Sequence, residues 1–492
     1  MPFIDLTLPS GVYGNGTELQ ASGRWWQTQL VRFTEKTVRP VGGWVAHSAS
    51  PVAGKARAII TWATNAGASW IGIGTESHLY AMSRSGVLSD ITPAGFTTGR
   101  ADATVGGGYG FGPYGVGTYG TPRPDTTTVQ AATVWTLDTW GQDLVGINAD
   151  DAKAYEWTLN IAVPAARISG SPTGRALVVT AERHLMILGA DGNPRQVMWS
   201  DQEDNGSWSP DATNQAGFFT LQTPGRLMCG KRLTGETGLW TDLDFWTANY
   251  TEGPLWFSFS RKGSGCGAIS QQAVAVIDSQ AVWMSQNGFW TYNGYVQPLE
   301  CEVFDRVFAN LNRTQASKVY AVHNSSFGEV WWFYPSASSN EIDLYVMWNY
   351  REGWWANGSL SRLSGTDRGA FNFPLMVGND GVVYEHETGF SYTGQSAPEC
   401  TGGPFQVGLG DQVFHATQLV ADELTQGDVR VAFATRFYPN GAETVAGPFS
   451  LAHAPTDVRF GCRQAHLTLT SANLTDWRWG RPRLNVSLGG LR

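Results

Sequence analysis

Charge is scarce in this chain: Asp, Glu, Lys and Arg make up 15% of its 492 residues, and the balance is acidic, at −9. Capture of nucleic acid by counterion release needs clustered Lys and Arg, so the balance argues against that class. Cysteine is also sparse: Cys229, Cys266, Cys301, Cys400 and Cys462 are odd in number, widely spaced and free of any C-x-x-C pair. Neither a disulfide framework nor a zinc site is indicated. No apolar run approaches the ~20 residues of a membrane helix. The N-terminal MPFIDLTLPSGVYGNG lacks the basic and apolar regions of a signal peptide. The expectation is a chain made and kept in a reducing cytoplasm unless something else carries it out, with no membrane insertion.

Signatures of catalysis are missing as well. The eight histidines never fall at H-x-H or H-x-x-x-H spacing. There is no G-x-S-x-G elbow and no phosphate-binding loop. A sialidase Asp box needs S-x-D-x-G-x-x-W, and the one near-match misses the register because Trp208 follows Gly206 too closely. Carboxylate neighbours such as Asp242/Asp244 and Asp422/Glu423 read as turn or solvated positions rather than a glycosidase pair. The expectation is no enzyme, no cofactor and no metal.

What the chain does hold is 59 Gly, 22 Trp, 16 Tyr and 23 Phe, the composition of many short strands joined by tight turns. Four hairpin signatures overlay one another: GTESHLY from Gly74, TAERHLM from Thr180, SQNGFWT from Ser285 and GNDGVVY from Gly378. Further hairpin candidates lie between them at 147–155, 241–246 and 331–348. Units of roughly 50 residues match the blade of a β-propeller, here of about six to eight blades over residues 51–395. Blades stack face to face, which gives a use to clusters such as Trp331, Trp332, Phe333 and Tyr334, and Trp348, Trp354 and Trp355. The alternative use for exposed Trp354 and Trp355 is as glycan platforms. The non-alternating run 273–277 suits a strand buried on both faces.

Three further stretches stand out. Residues 105–120, VGGGYGFGPYGVGTYG, place Tyr109, Phe111, Tyr114 and Tyr119 among glycines too dense for a regular strand or helix. This insertion, 105–124 with its prolines, is either an Ω-loop held by its own tyrosines or a loop that narrows a channel. In 197–221, Trp199, Asp201, Asp204, Trp208 and Asn214 read as a side-chain-pinned connection between two strands, because Asp and Asn fix turns while the indoles bury. Oxygen ligation of Ca²⁺ by Asp201, Glu203, Asp204 and Asn205 is the weaker alternative. At the C-terminal end Arg478, Arg481 and Arg483 concentrate positive charge, either as solvated edge-strand residues or as subunit and adaptor contacts. Residues 1–50 read as an extended strand and hairpin segment, with 25–33 as one strand. After a polar linker that includes Pro398, period-two strands over 406–492 read as a β-sandwich.

Several of these stretches resemble segments of the tail nozzle, or packaged-DNA stabilisation, proteins of short-tailed bacteriophages. They are W-S-D-Q-x-D followed by P-x-A-T-N-x-A-G, the Gly/Tyr insertion running into T-P-R, and W-R-x-G-R-P-R-L at the end. Near the start, G-R-W-x-x-x-x-L-V-R-F and R-P-x-G-G-W are similar too. The resemblance implies a structural virion protein: a hexameric tube at the distal end of the tail, attached to an adaptor ring, with tail fibres or spikes as further neighbours. Double-stranded DNA would pass through it without sequence-specific binding. The implied location is the virion tail, assembled in the host bacterial cytoplasm. The alternative from another class is a glycan-binding propeller that recognises a host surface.

Overall fold

The computed structural model describes residues 3–105, 129–251, 253, 255–408, 410 and 412–490. The chain is all-β. Seven four-stranded antiparallel sheets form blades 1 to 7 of a propeller. Blades 1 to 6 span 56–90, 135–167, 176–220, 227–264, 274–299 and 320–359. Blade 7 takes three strands from 362–386 and its fourth from Trp44–Ala46, where Trp44, Val45 and Ala46 pair with His386, Glu385 and Tyr384. First strands of most neighbouring blades abut, and Arg362–Thr366 of blade 7 meets Ala56–Ala63 of blade 1, so the ring closes.

Blade-on-blade packing explains why many strands are apolar without alternation. Glu329–Tyr334 and Leu185–Leu188 are buried along their whole length, because each sheet has a neighbour on both faces. Indoles bridge the gaps between sheets, and several donate their N–H groups to backbone carbonyls. Trp283 of blade 5 lies 5.6 Å from Trp240 of blade 4 and donates to the Cys266 carbonyl at 2.5 Å. Trp332 of blade 6 packs 4.9 Å from Phe289 of blade 5 and donates to the Ala273 carbonyl at 3.1 Å.

The second unit is a sandwich. One sheet runs in the order Phe3–Asp5, Arg483–Leu488, Phe414–Val420, Thr456–Cys462. The other runs Trp25–Gln29, Glu399–Gly402, Gln464–Ser471, Val429–Arg436, Thr444–Ser450. Phe433 of the second sheet meets Phe460 of the first at 4.7 Å. The strand pairing differs from the divisions read off the sequence. Residues 1–50 are shared out between sandwich and propeller, and the polar linker contains the strand Glu399–Gly402. The stretch 25–33 is two strands, Trp25–Gln29 and Val31–Thr34, broken at Leu30, whose φ is 51°. The Leu30 N–H donates to the Tyr345 hydroxyl at 2.9 Å, which turns the chain from the sandwich onto blade 6.

That crossing is pinned by a buried ionic cluster. Arg32 donates from Nε to Glu329 Oε1 at 2.8 Å and from Nη2 to Glu329 Oε2 at 3.0 Å, and from Nη1 to Glu387 Oε2 at 2.9 Å. Asn324 and the Gly42 N–H complete Glu387 at 2.9 and 3.0 Å. Burial opposes the charge on Arg32, but the two carboxylates outweigh it and hold the guanidinium above its ordinary pKa.

The closing blade carries a pH dependence. His386 is fully enclosed, and its Nε2 accepts from Arg362 Nε at 2.9 Å, so the bond requires a neutral ring. Burial first, and the Arg362 charge second, hold its pKa well below the ordinary histidine value. The unfolded chain therefore binds a proton as pH falls through about 6.5 while the folded chain does not. The stabilisation is present above that pH and drains away below it, at up to about 1.4 kcal/mol per pH unit. His386→Gln, which keeps an acceptor for Arg362, is expected to show a shallower fall in thermal midpoint between about pH 6.5 and 5 than the parent chain. Identical slopes would remove His386 from the account. His184 and His323, also lowered by burial, supply the residual slope.

Candidate functional site

The glycine- and tyrosine-rich insertion leaves the propeller on the face crossed by the blade-to-blade connections. Its root is a two-stranded ribbon in which Thr104 pairs with Gln130 and Val105 with Val129. The candidate gate residues Tyr109, Phe111, Tyr114 and Tyr119 lie outside the described residues. What precedes them is firmly held. The Ala103 N–H donates to Gln315 Oε1 at 2.9 Å, and Gln315 Nε2 returns a bond to the Ala103 carbonyl at 3.1 Å. Gln315 sits in a short 3-10 helix, Arg313–Lys318, started by Asn312, whose side chain accepts from the N–H groups of Thr314 and Gln315.

Lys318, on the same helix, is fully buried at its side chain and reaches Asp102 at 2.5 Å and Glu341 at 3.6 Å. Glu341 in turn takes Arg57 at 2.8 Å, and Arg57 donates to the Ala101 carbonyl at 2.9 Å. Burial and the nearby Arg57 pull the Lys318 pKa down, while Glu341 and Asp102 work to keep it charged. The insertion is thus rooted on blades 1 and 6 by paired charges in low dielectric, where removing one partner is costly. These clamping residues carry no sequence signal, since Arg57, Asp102, Lys318 and Glu341 are far apart in the chain.

The connection 197–221 joins the third and fourth strands of blade 3, and its polar side chains are spent on its own backbone. Asp201 Oδ1 accepts from the N–H groups of Gln202 and Gln215, each at 2.8 Å. Asp204 Oδ1 accepts from Gly206 N–H at 2.9 Å, and Asn214 Oδ1 from Asp211 N–H at 3.0 Å. Glu203 pairs with Arg183 at 2.9 Å. The indoles do the rest. Trp199 donates to the Gln215 carbonyl at 2.8 Å and packs on Phe257 of blade 4 at 5.2 Å. Trp208 donates to the Asn205 carbonyl at 2.7 Å and joins the apolar cluster between blades 2 and 3. The loop is a staple across three blades.

The arginine-rich close lies on the sandwich. Trp477 and Trp479 are buried, and Trp479 exchanges backbone bonds with Val38 at 2.9 and 3.1 Å. Arg478, Arg481 and Arg483 point the other way and are exposed. Arg478 stands 3.6 Å from Asp476, and the Arg481 N–H donates to Asp422 at 2.7 Å. The structure therefore does not gather the three stretches into one site.

The glycan-platform alternative for two tryptophans is overturned, and the turn reading of the neighbouring carboxylates is kept. Trp354 and Trp355 are 3% and 1% exposed, so they are core residues and not glycan platforms. The neighbouring carboxylates serve turns: Asp242 accepts from Arg226 N–H at 2.8 Å, and Glu423 from Gly427 N–H at 2.9 Å. Among the described residues only Glu18, Glu443 and His466 group closely enough to suggest a metal. There Arg436 Nη1 already sits 2.7 Å from Glu18 and 3.3 Å from Glu443. All five cysteines are free, and burial pushes the thiols of Cys229 and Cys462 up to about 12.

No family model and no curated protein matches this chain. Among solved structures it is similar to virginiamycin B lyase from Staphylococcus aureus, with 7% identity over 70% of this chain and 97% of that one, at a TM-score of 0.41. A streptogramin B lyase aligns with 10% identity over 70% and 96% of the two chains, at 0.39. PorZ of Porphyromonas gingivalis, a surface component of a type-IX secretion system, aligns with 9% identity over 77% and 44%, at 0.36. Likenesses of this order carry nothing about chemistry.

Proposed function

We propose that this chain is a structural, non-enzymatic virion protein, one of six copies forming the distal nozzle of a short phage tail, which retains the packaged genome and lets it leave on infection. The observation that carries the reading is the rooting of the Gly/Tyr insertion. A glycine- and tyrosine-rich segment on a fixed ribbon suits a plug that packs shut and is pushed aside, and it occurs together with the sequence resemblance. A cavity of about 260 Å³ lies along the first strands of the blades. A duplex cannot thread one propeller, so the conduit in this proposal lies between copies. Copies that each carry −9 repel phosphate, which favours sliding over retention on the wall. The exposed Arg478, Arg481 and Arg483 are the proposed subunit or adaptor contacts.

Native mass spectrometry of the chain co-produced with its adaptor tests the assembly. A six-fold ring is expected, and a chain that stays monomeric beside its adaptor would count against the proposal. The glycan-binding alternative retains one observation, an aromatic groove on blades 3 and 4 where Phe218 is 59% exposed beside Trp256. A glycan array separates the two readings, since a conduit binds nothing there.

A further inference from the structure

A cavity of about 150 Å³ opens on the face crossed by the blade-to-blade connections, and Arg175, Arg226 and Arg313 all line it. Among the described residues no acidic residue does, in a chain that carries 42 acids against 33 bases. The remaining polar lining includes Thr314 and Ser317, and the walls are largely Ala, Val, Ile and Met. Two of the arginines are partly occupied. Arg226 reaches Asp242 at 3.3 Å, and Arg313 Nη1 donates to the Gln286 carbonyl at 3.0 Å.

Arg175 differs. Its backbone is fixed, with N–H to the Leu188 carbonyl at 2.9 Å and its own carbonyl taking Gln271 Nε2 at 3.0 Å. Yet among the described residues its half-buried guanidinium has neither an ion pair nor a hydrogen bond. The nearby carboxylate of Asp150 is already engaged by Arg100 at 2.8 Å. Burial, with the Arg226 charge beside it, pulls the Arg175 pKa below its ordinary value. A desolvated guanidinium facing like charges costs stability unless an anion joins it.

The placement is specified locally. Arg175 and Arg226 each follow a glycine and immediately precede the first strand of a blade, in TGRAL and PGRLM. A side chain at Gly174 would meet Ile187 Cγ2 at 2.2 Å, and one at Gly225 would meet Asp242 Oδ1 at 2.8 Å. The repeated Gly-Arg step thus sets two guanidinium groups at equivalent places on adjacent blades.

We propose that this cavity binds a small tetrahedral oxyanion, a phosphate group, with Arg175 as its principal ligand and Arg226 and Arg313 completing the cradle. Guanidinium groups match phosphate and carboxylate oxygens in pairs. Three cations on one lining favour the tetrahedral anion, because a carboxylate has only two oxygens to share among them. The cavity has room for one phosphate group and none for a duplex. The inference does not depend on the nozzle reading.

The test is the thermal midpoint of the whole chain against rising inorganic phosphate, with chloride and acetate at matched ionic strength. A ligand of the folded state alone raises the midpoint with the logarithm of its concentration. The expected result is such a rise with phosphate and not with the controls. Arg175→Met should abolish the rise and, without phosphate, leave the midpoint equal to or above that of the parent. Arg313→Met should shift the response to about tenfold higher phosphate, and serves if the first variant fails to fold. Arg351→Met, on the exposed side of blade 6, should respond like the parent. No rise, an equal rise with chloride or acetate, or a rise that survives in both cavity variants would overturn the proposal.

Discussion

Arg32→Ala is expected to destabilise the protein by about 3–5 kcal/mol, the largest effect of any single substitution considered. Arg32 and Glu329 are 1% and 0% exposed at their side chains, so the change strands a carboxylate that no water can reach. Burial already pushes the Glu329 carboxyl up, and only Arg32, with a bond from the Trp331 indole N–H, opposes that push. The loss should fall on the junction between the N-terminal hairpin and blades 6 and 7, since Glu387 would release Asn324 and Gly42 together. Arg32→Met combined with Glu329→Leu should recover much of the loss, because a buried ion pair replaced whole by apolar groups is often neutral. Urea titrations of the two variants beside the parent measure both effects. A single variant within about 1 kcal/mol of the parent would mean that the cluster is more hydrated than its geometry shows.

The second large effect concerns function. Particles built with a chain lacking residues 106–120 are expected to assemble and then lose most of their DNA. Assembly should survive because the bonds that hold the root, Ala103 with Gln315, Asp102 with Lys318, and Thr104 with Gln130, all lie outside the deletion. The purified shortened chain should therefore keep its thermal midpoint, which separates a gating defect from a folding one. Full genome retention by such particles would leave the insertion as an ornamental surface loop.

Much of the propeller is legible in the sequence, and the reason is the repeat itself. Each blade cannot cover both faces alone, so the pattern of apolar strand, polar turn and apolar strand must recur. The overlaid signatures do fall on hairpins, but not always the same one. The turns near Glu76, Asn287 and Asp380 join second and third strands, whereas that near Glu182 joins the first and second strands of blade 3. A hairpin signature tells that two strands pair and does not tell which two. Long-range pairing was less legible still. Nothing local in Trp44–Ala46 announces that it completes blade 7, or in Phe3–Asp5 that it pairs with Arg483–Leu488, because register across hundreds of residues is set by tertiary packing.

The connection around Trp199 and Trp208 could be read as pinned because its donors and acceptors are near one another in the chain. The clamp at the insertion root could not, being assembled from four distant segments. The three-arginine cavity falls between these cases. Its Gly-Arg repeat is visible in the sequence, but the gathering of three arginines on one lining, with no carboxylate among its described residues, emerges only when the blades are brought together.

The central claim, that the chain is a nozzle component, is tested most directly by antibody-gold localisation on intact particles in the electron microscope. Label at the distal end of the tail axis is the result the account predicts. Label on peripheral fibres would contradict it and move the weight to host-surface recognition, and particles with no label at all would remove the chain from the virion.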